Sequence, residues 1–250
     1  MVKNEVVPMN RLHDLLSQKP GARVLDVGTG VGNFLYFLKE VMADYESVVG
    51  IDQSENALVA ARKNFADDPR IRFERMDATA MTFPDASFDV VILSNTLHHL
   101  ADPVPVFREM ERVLRPDGIL VVNEMVADGL DEKQISHREL HHFSAAIDTA
   151  SGIYHANTMS RDQIAALLGR TSRLAIAEAW DVKFPDGPEP TAEEVEQTAT
   201  TVDRLLARVK DEAVRAAFLE RGEAVKAYVR KHGFAGATQR MSVLRSPSKT

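Results

Sequence analysis

The chain has 250 residues, no cysteine and a formal net charge of −7. This length is enough for one large hydrophobic core, and without cysteine there are no disulfides, thiolate metal sites or cysteine nucleophiles. No run of about 18 apolar residues occurs, and residues 1–5 lack the apolar segment of a signal peptide. We therefore expect one cytoplasmic domain, residues 1–250, that binds neither membranes nor, given its acidity, nucleic acid.

Short apolar runs alternate with segments of helical periodicity along the first half of the chain, and two further runs follow in the second half. In the first helical segment, for example, Phe34, Leu38 and Val41 recur at helical spacing. This alternation predicts an α/β fold with a doubly wound, mostly parallel sheet, as in Rossmann-like proteins. The apolar runs predict strands at 24–27, 48–51, 71–73, 90–93, 119–122, 174–180 and 239–244.

The second half also contains two helical segments outside the predicted sheet. Thr191 and Glu194 have the spacing of a capping box, which predicts the start of a long helix. A further helix is expected over about 214–229. We therefore predict a histidine-rich lid inserted at 126–158 and a helical hairpin inserted at 191–231.

A glycine-rich loop follows the first predicted strand, and it comprises Asp26, Gly28, Thr29, Gly30 and Gly32. Glycine allows the chain to turn sharply and lets a ligand approach the backbone. Such a loop also occurs in dinucleotide-binding enzymes. The loop alone therefore predicts a nucleotide-like ligand without choosing its type.

Acidic residues at the ends of the next strands separate these alternatives. Asp52 ends the second strand, 20 positions after Gly32, where a carboxylate can accept hydrogen bonds from ribose hydroxyls. Asp77 follows the third strand, where an adenine amino group can donate to it. A pyrophosphate near Asp26 would be repelled by roughly 4 kcal/mol for unit charges about 4 Å apart at an effective dielectric near 20. Three carboxylates instead favour S-adenosylmethionine, which has no phosphate and carries a net positive charge.

The same residues and several later segments resemble the class I S-adenosylmethionine-dependent methyltransferases. Residues 26–32 are similar to motif I of that family, and the resemblance covers about residues 21–124. The later segments resemble motifs of the small-molecule branch, which includes the ubiquinone and menaquinone biosynthesis methyltransferases. Asp117 departs from the glycine that is usual in the family. The later segments, in chain order, are Met76-Asp77-Ala78, Phe83-Pro84-Asp85-x-x-Phe88-Asp89-Val90, Asn95-x-x-His98-His99-Leu100 and Arg112-Val113-Leu114-Arg115-Pro116-Asp117-Gly118.

The resemblance implies a role for each strand end. The glycine loop would hold the methionine part of the cofactor, Asp52 the ribose, and Asp77 with Ala78 the adenine, while Asn95 would lie near the sulfonium. Considered alone, Asp26 could instead cap local amides, and Asp77 could instead be a turn residue. The predicted cofactor-binding residues are Asp26, Gly28, Thr29, Gly30, Gly32, Asp52, Gln53, Asp77, Ala78 and Asn95.

Two histidines follow the fourth strand, near the expected site of methyl transfer. His98 or His99 could act as a general base at neutral pH, and we take His98 as a candidate catalytic residue. The alternative is that His98 orients the loop while His99 packs or is solvated.

Further histidines lie in the predicted lid. On a helix, His137 and His141 share one face at i and i+4, with Asp148 along the same stripe. Two histidines at this spacing can bind one metal ion, and His142 or His155 could complete the site. We therefore predict His137, His141, His142 and His155 as metal ligands, with His141 also catalytic. Zinc, iron, nickel, cobalt and manganese all suit such ligands. The alternatives are a metal-free lid that binds substrate and a solvated helix face.

These observations predict methyl transfer from S-adenosylmethionine to a small-molecule acceptor by a monomer or homodimer. A divalent transition metal in the lid would help to bind or deprotonate the acceptor. An RNA methyltransferase would need a basic surface, and a metabolite-binding regulator would keep the pocket without turnover. A nicotinamide oxidoreductase would bind NADH in place of S-adenosylhomocysteine.

Overall fold

Seven strands form a single sheet in the computed structural model, which describes residues 7–42, 44–183 and 190–247. All seven predicted strands are confirmed, and the second, fourth and fifth are longer than predicted at both ends. The strands are β1 (Ala22–Val27), β2 (Tyr45–Asp52), β3 (Ile71–Arg75), β4 (Phe88–Ser94), β5 (Leu114–Met125), β6 (Ala175–Val182) and β7 (Gln239–Arg245).

Helices connect the strands and cover the sheet. Ser54 caps the third helix, because its side chain accepts a hydrogen bond from the amide of Ala57. A short 3-10 turn at Leu97–His99 follows β4. The α-helices of the described residues are α1 (Val7–Leu16), α2 (Asn33–Val41), α3 (Glu55–Asn64), α4 (Val104–Val113), α5 (Glu132–Ala150), α6 (Arg161–Thr171), α7 (Ala192–Ala199), α8 (Thr201–Ala207) and α9 (Glu212–His232).

The strand order is β3-β2-β1-β4-β5-β7-β6. Strands β1 to β5 are parallel, and β7 runs antiparallel to both of its neighbours. At the end of β1, Val27 pairs with Ile51 of β2 and with Leu93 of β4. The carboxyl ends of these three strands therefore meet at one edge, which is where ligands bind in open α/β sheets.

Both faces of the sheet are covered, which explains why its central strands are continuous apolar runs. Val24 and Leu25 are fully buried, and they lie in two different hydrophobic clusters on opposite faces of the sheet. Phe34 of α2 packs in the first cluster and Phe107 of α4 in the second. The sheet edge that carries the glycine loop is thus fixed from both sides.

The helices of the second half pack around a third cluster, in which Phe143 of α5, Val202 of α8 and Val229 of α9 are fully buried. The sequence predicts one long helix after Thr191, whereas the structure has α7 and α8. The Thr200 hydroxyl donates to the carbonyl of Gln197 at 2.9 Å, and such bonds compete with the helical ladder. That α5 belongs to a lid, and α7 to α9 to an inserted hairpin, stays a prediction.

None of the helices within the described ranges is long and apolar enough to cross a membrane. Residues 1–5, on which the expectation about a signal peptide depends, lie outside those ranges.

Candidate active site

The glycine loop after β1 needs glycine for two different reasons. Gly28 has a φ of +69°, and a Cβ there would lie 2.4 Å from Cγ2 of Thr96. Gly30 also has a positive φ, of +54°, but a Cβ there would meet no heavy atom within 4 Å. Gly28 therefore packs against the loop after β4, whereas Gly30 borders open space.

Replacing Gly28 with alanine is expected to destabilise the protein more than the same change at Gly21. Both residues have positive φ, +69° and +64°, so both variants pay about 1–2 kcal/mol of backbone strain. Only the Gly28 variant adds a clash with Thr96, which typically costs a further 1–3 kcal/mol or so. Urea denaturation measures the difference, and equal destabilisation of the two variants would contradict the close packing.

Two adjoining cavities lie along this edge of the sheet. The larger cavity has a volume of about 430 Å³, and its lining includes Asp52, Gln53 and Ala78. The smaller cavity has a volume of about 180 Å³, and its lining includes Asp26 and Thr29. Both cavities are also lined by Gly28, Gly30 and Asn95. The structure therefore brings together eight of the ten residues that the sequence predicts for the cofactor.

Asp26 is the most unusual titratable group in these cavities. Its side chain is buried, and burial raises the pKa of Asp26 to about 7. The neighbouring Thr29 hydroxyl acts in the opposite direction, and the charge of Asp52 adds a smaller upward contribution. Oδ2 of Asp26 and Oγ1 of Thr29 are buried without a hydrogen-bond partner among the described residues. Buried oxygens of this kind are costly to leave unpaired. The pair fits an ammonium group placed in the smaller cavity.

Asp52 is held in position by the backbone. Its Oδ2 accepts a hydrogen bond from the amide of Gly30 at 2.9 Å, and its Oδ1 accepts one from the amide of Ser54 at 2.8 Å. Each carboxylate oxygen keeps a further lone pair. Because Asp52 lines the larger cavity, these lone pairs can accept from a diol such as a ribose.

Asp77 and Gly32 lie outside the lining of both cavities. Oδ1 of Asp77 accepts from the amide and the hydroxyl of Thr79, both at 2.8 Å. These bonds, above all the one from the Thr79 amide, lower the pKa of Asp77. Gly32 precedes α2, and a Cβ there would lie 2.4 Å from the Phe65 ring. The geometry thus gives Asp77 a role in its turn and Gly32 a role in packing.

Asn95 occupies the loop after β4 in a conformation that is rare for residues other than glycine. Its φ is +46°, and its Oδ1 accepts a hydrogen bond from the Met125 amide at 3.2 Å. Asparagine is among the residues that tolerate this region best. The side chain is therefore anchored to β5 at the point where the two cavities meet.

Three histidines converge beside the cofactor cavities. His98, His141 and His155 each place one ring nitrogen within 4.8 Å of the others. Nδ1 of His98 donates to Oε1 of Glu124 at 2.7 Å, and Nδ1 of His155 donates to Oδ2 of Asp148 at 2.8 Å. The Nε2 atoms of His141 and His155 are 3.3 Å apart. We call His98, His141 and His155 the histidine cluster.

The predicted ligands His137 and His142 are not part of this cluster. Nδ1 of His137 accepts from the Ala237 amide at 2.9 Å, and Nε2 of His142 accepts from the Thr158 amide at 3.2 Å. Their rings are therefore turned towards other parts of the backbone. His98, which the sequence predicts as a base, takes their place.

Glu124 is a residue that the sequence reasoning missed. It is fully buried near the end of β5, and its Oε1 holds His98. A carboxylate that follows closely on the apolar run 119–122 is the signal that could have found it, because such groups are rarely buried without a partner.

His99 connects the histidine cluster with the larger cofactor cavity, which it lines. Its ring centroid is 4.1 Å from that of His155 and 4.3 Å from that of His98. Burial lowers the pKa of His99 to about 4, and the charges of His98 and His155 act in the same direction. Burial likewise lowers the pKa of His141. His99 and His141 are therefore neutral at pH 7.

His141 also lines a third cavity, of about 600 Å³, between α5, α7 and α8. We call it the helix cavity. Arg204, Glu194 and Thr201 contribute polar groups to its wall, and Leu140 and Leu205 contribute apolar ones. The imidazole rings of His99, His155 and His141 thus form a continuous series from the cofactor cavity to the helix cavity.

Comparison with known proteins finds a family match within the first half of the chain. Residues 25–122 match the methyltransferase domain family. The 27-O-demethylrifamycin SV methyltransferase of Amycolatopsis mediterranei is 39% identical over 120 residues, which are 47% of this chain and 43% of that protein. The demethylmenaquinone methyltransferase of Thermus thermophilus is 40% identical over 115 residues, 46% of this chain and 52% of that protein. The match therefore spans about half the length of these relatives.

The likeness in fold extends over almost the whole chain. The YcgJ protein of Bacillus subtilis superimposes with a TM-score of 0.55 and 20% identity, covering 96% of this chain and 98% of that protein. At this identity the likeness establishes the fold alone. The match over residues 25–122, rather than the likeness in fold, assigns that part of the chain to the methyltransferase domain family.

Proposed function

We propose that the protein transfers a methyl group from S-adenosylmethionine to a small-molecule acceptor. The observation that carries the proposal is the unpaired Asp26 and Thr29 oxygens beside a backbone-held Asp52. These groups match an amine and a ribose in one ligand, and they leave no place for a pyrophosphate next to Asp26. Two relatives, named as rifamycin and menaquinone methyltransferases, support a small-molecule acceptor.

In this proposal each side chain binds a different part of the cofactor. Asp26 and Thr29 accept from the amine, Asp52 from the ribose hydroxyls, and Ala78 borders the adenine, while Gly28 and Gly30 leave room along the backbone. Bound S-adenosylmethionine supplies an electrophilic methyl group on its sulfonium sulfur. The charge of Asp26 and Asp52 favours this cationic ligand over a neutral one.

The acceptor side of the site is assigned to the histidines. His99 borders the cofactor cavity, and its neighbours in the cluster extend to the helix cavity. A neutral imidazole can donate or accept one hydrogen bond, or take up the proton that an acceptor loses. We assign His98 and His141 to positioning or deprotonating the acceptor, either directly or through a metal ion. Orientation of this kind can supply roughly 7–11 kcal/mol of the barrier reduction.

Calorimetry with S-adenosylhomocysteine tests the proposal directly. We expect binding of one equivalent, and no heat with NADH, because a dinucleotide places phosphates near Asp26. Formation of S-adenosylhomocysteine from S-adenosylmethionine, measured across a panel of small hydroxyl and amine acceptors, then tests turnover. Tight binding of NADH with none of S-adenosylhomocysteine would overturn the assignment, whereas binding without any turnover would favour a regulator.

A further inference from the structure

The histidine cluster has the spacing of a metal site. An ion held at about 2.0–2.1 Å by tetrahedral imidazole nitrogens keeps those nitrogens about 3.4 Å apart. The Nε2 atoms of His141 and His155 are 3.3 Å apart. One ring nitrogen of His98 lies within 4.8 Å of both of the other rings. A small movement of one ring therefore completes a three-nitrogen site.

The outer nitrogens of two rings are already held by carboxylates. Glu124 accepts from Nδ1 of His98 and Asp148 accepts from Nδ1 of His155. In a neutral imidazole whose Nδ1 carries the proton, Nε2 presents a lone pair. Carboxylates in this position fix the tautomer and the ring orientation of metal-binding histidines, and they raise the basicity of the ligating nitrogen.

The surroundings of these carboxylates fix them in turn. Glu124 is fully buried near the end of β5, where its Oε1 also accepts from the Met125 amide at 3.1 Å, while its Oε2 has no partner among the described residues. Asp148 lies near the end of α5, where its second oxygen accepts from Arg208 of the segment after α8 at 2.6 Å. The two supports come from different elements, so the sheet edge and the helical part of the chain hold the cluster together. A single proton shared by His141 and His155 satisfies one pair of nitrogens, whereas a cation satisfies all three.

We propose that His98, His141 and His155 bind a divalent transition-metal ion, with Glu124 and Asp148 as supporting residues. Three imidazole ligands suit zinc, iron(II), cobalt or nickel. A site with three protein ligands has a coordination position left for water or substrate. His99 packs against the cluster and lines the cofactor cavity, so this position lies on the acceptor side of the proposed reaction. That last step rests on the proposed function, but metal binding itself does not.

Metal binding is measured on the full chain, purified without a tag, in the absence of S-adenosylmethionine. We expect elemental analysis, after reconstitution with Zn²⁺ and dialysis, to find one zinc per chain. Titration with Co²⁺ should give a saturable visible absorption, which reports a defined coordination geometry. His141→Ala should lose both signals.

Two neighbours on α5 serve as matched controls. His137→Ala and His142→Ala each remove a partly buried imidazole from the same helix, but both rings bond to backbone amides away from the cluster. Both variants should retain one zinc per chain. Asp148→Asn should keep the ligands and weaken Co²⁺ affinity by about 10–100-fold. Far-UV circular dichroism of each variant shows whether the fold is intact. The Co²⁺ spectrum that Asp148→Asn should retain shows that the ligands are still in place, so loss of the site can be told apart from loss of the fold.

The proposal is overturned if the reconstituted wild type binds neither ion, or if His141→Ala binds Zn²⁺ and Co²⁺ as the wild type does. It is also overturned if His142→Ala, with its fold intact, loses the metal as His141→Ala does. Calorimetry with S-adenosylhomocysteine is run on the same samples. A wild type that binds S-adenosylhomocysteine normally but binds neither Zn²⁺ nor Co²⁺ would overturn this inference alone. A wild type that binds metal but not S-adenosylhomocysteine would overturn the proposed function alone.

Discussion

Asp26→Asn is expected to stabilise the cofactor-free protein at pH 8 while weakening its affinity for S-adenosylhomocysteine. Burial raises the pKa of Asp26 from 3.8 to about 7, so above pH 7 the folded protein holds an ionised carboxylate where water cannot solvate it. The difference between these pKa values corresponds to about 4 kcal/mol at roughly 1.4 kcal/mol per pH unit. Asparagine removes this cost because it does not ionise.

The direction of the pH dependence follows from proton linkage. Below about pH 4, Asp26 is protonated in both the folded and the unfolded chain and costs nothing. As the pH rises from about 4 to about 7, the unfolded chain ionises first, so the wild type loses stability over this window. The gain from Asp26→Asn should therefore grow between pH 4 and pH 7 and stay constant above it. Urea denaturation without ligand at pH 5 and pH 8 measures this difference.

Cofactor affinity should depend on pH in the opposite direction. An ammonium group binds the ionised form of Asp26, so affinity in the wild type should fall about tenfold for each pH unit below 7. In Asp26→Asn it should be weak and independent of pH. Asp67→Asn is a control, because Asp67 is exposed and paired with Lys39 at 3.6 Å, and it should change neither quantity. Wild-type affinity that is equal at pH 5 and pH 8 would contradict the assigned role of Asp26.

The sheet could be predicted because its central strands are buried on both faces. Such strands appear in a sequence as unbroken apolar runs, and the runs at 24–27 and 90–93 lie within β1 and β4. The break between α7 and α8 could not be predicted in this way. Apolar spacing continues through Thr200, where α7 gives way to α8 and the Thr200 hydroxyl donates to the carbonyl of Gln197. Periodicity carries no information about such side-chain bonds.

The candidate site, like the fold, could be predicted from the sequence only in part. Residues at strand ends could be located from the sequence, because parallel strands bring their carboxyl ends to one edge. The histidine cluster could be predicted only in part: the sequence predicts His141 and His155 together, but it adds His137 and His142 and leaves out His98. Spacing shows which residues share a helix face and not which ring nitrogen already has a hydrogen-bond partner. His137 and His141 are four residues apart, yet His137 bonds to the Ala237 amide while His141 approaches His155. His98 comes from a different loop, and only the tertiary fold brings it to the others.

Asp52→Ala is expected to cause the largest loss of cofactor affinity of any single change in the larger cavity. A carboxylate that accepts from two ribose hydroxyls makes two hydrogen bonds to a charged group, each contributing about 1.5–3 kcal/mol. Loss of both should weaken S-adenosylhomocysteine binding roughly 100-fold or more. Asp52→Asn retains one acceptor oxygen, so its affinity should lie between those of the wild type and the alanine variant.

The two backbone bonds of Asp52 make this result interpretable. Because the carboxylate also holds the amides of Gly30 and Ser54, Asp52→Ala should lower the free energy of unfolding by about 1–3 kcal/mol. Glu74→Ala is the matched control, since Glu74 lies on the neighbouring strand and pairs with Arg72, and it should leave affinity unchanged. Calorimetry and urea denaturation on the same samples separate the two effects. If stability falls while affinity does not, Asp52 serves only to hold the loop, and the ribose must bind to other groups.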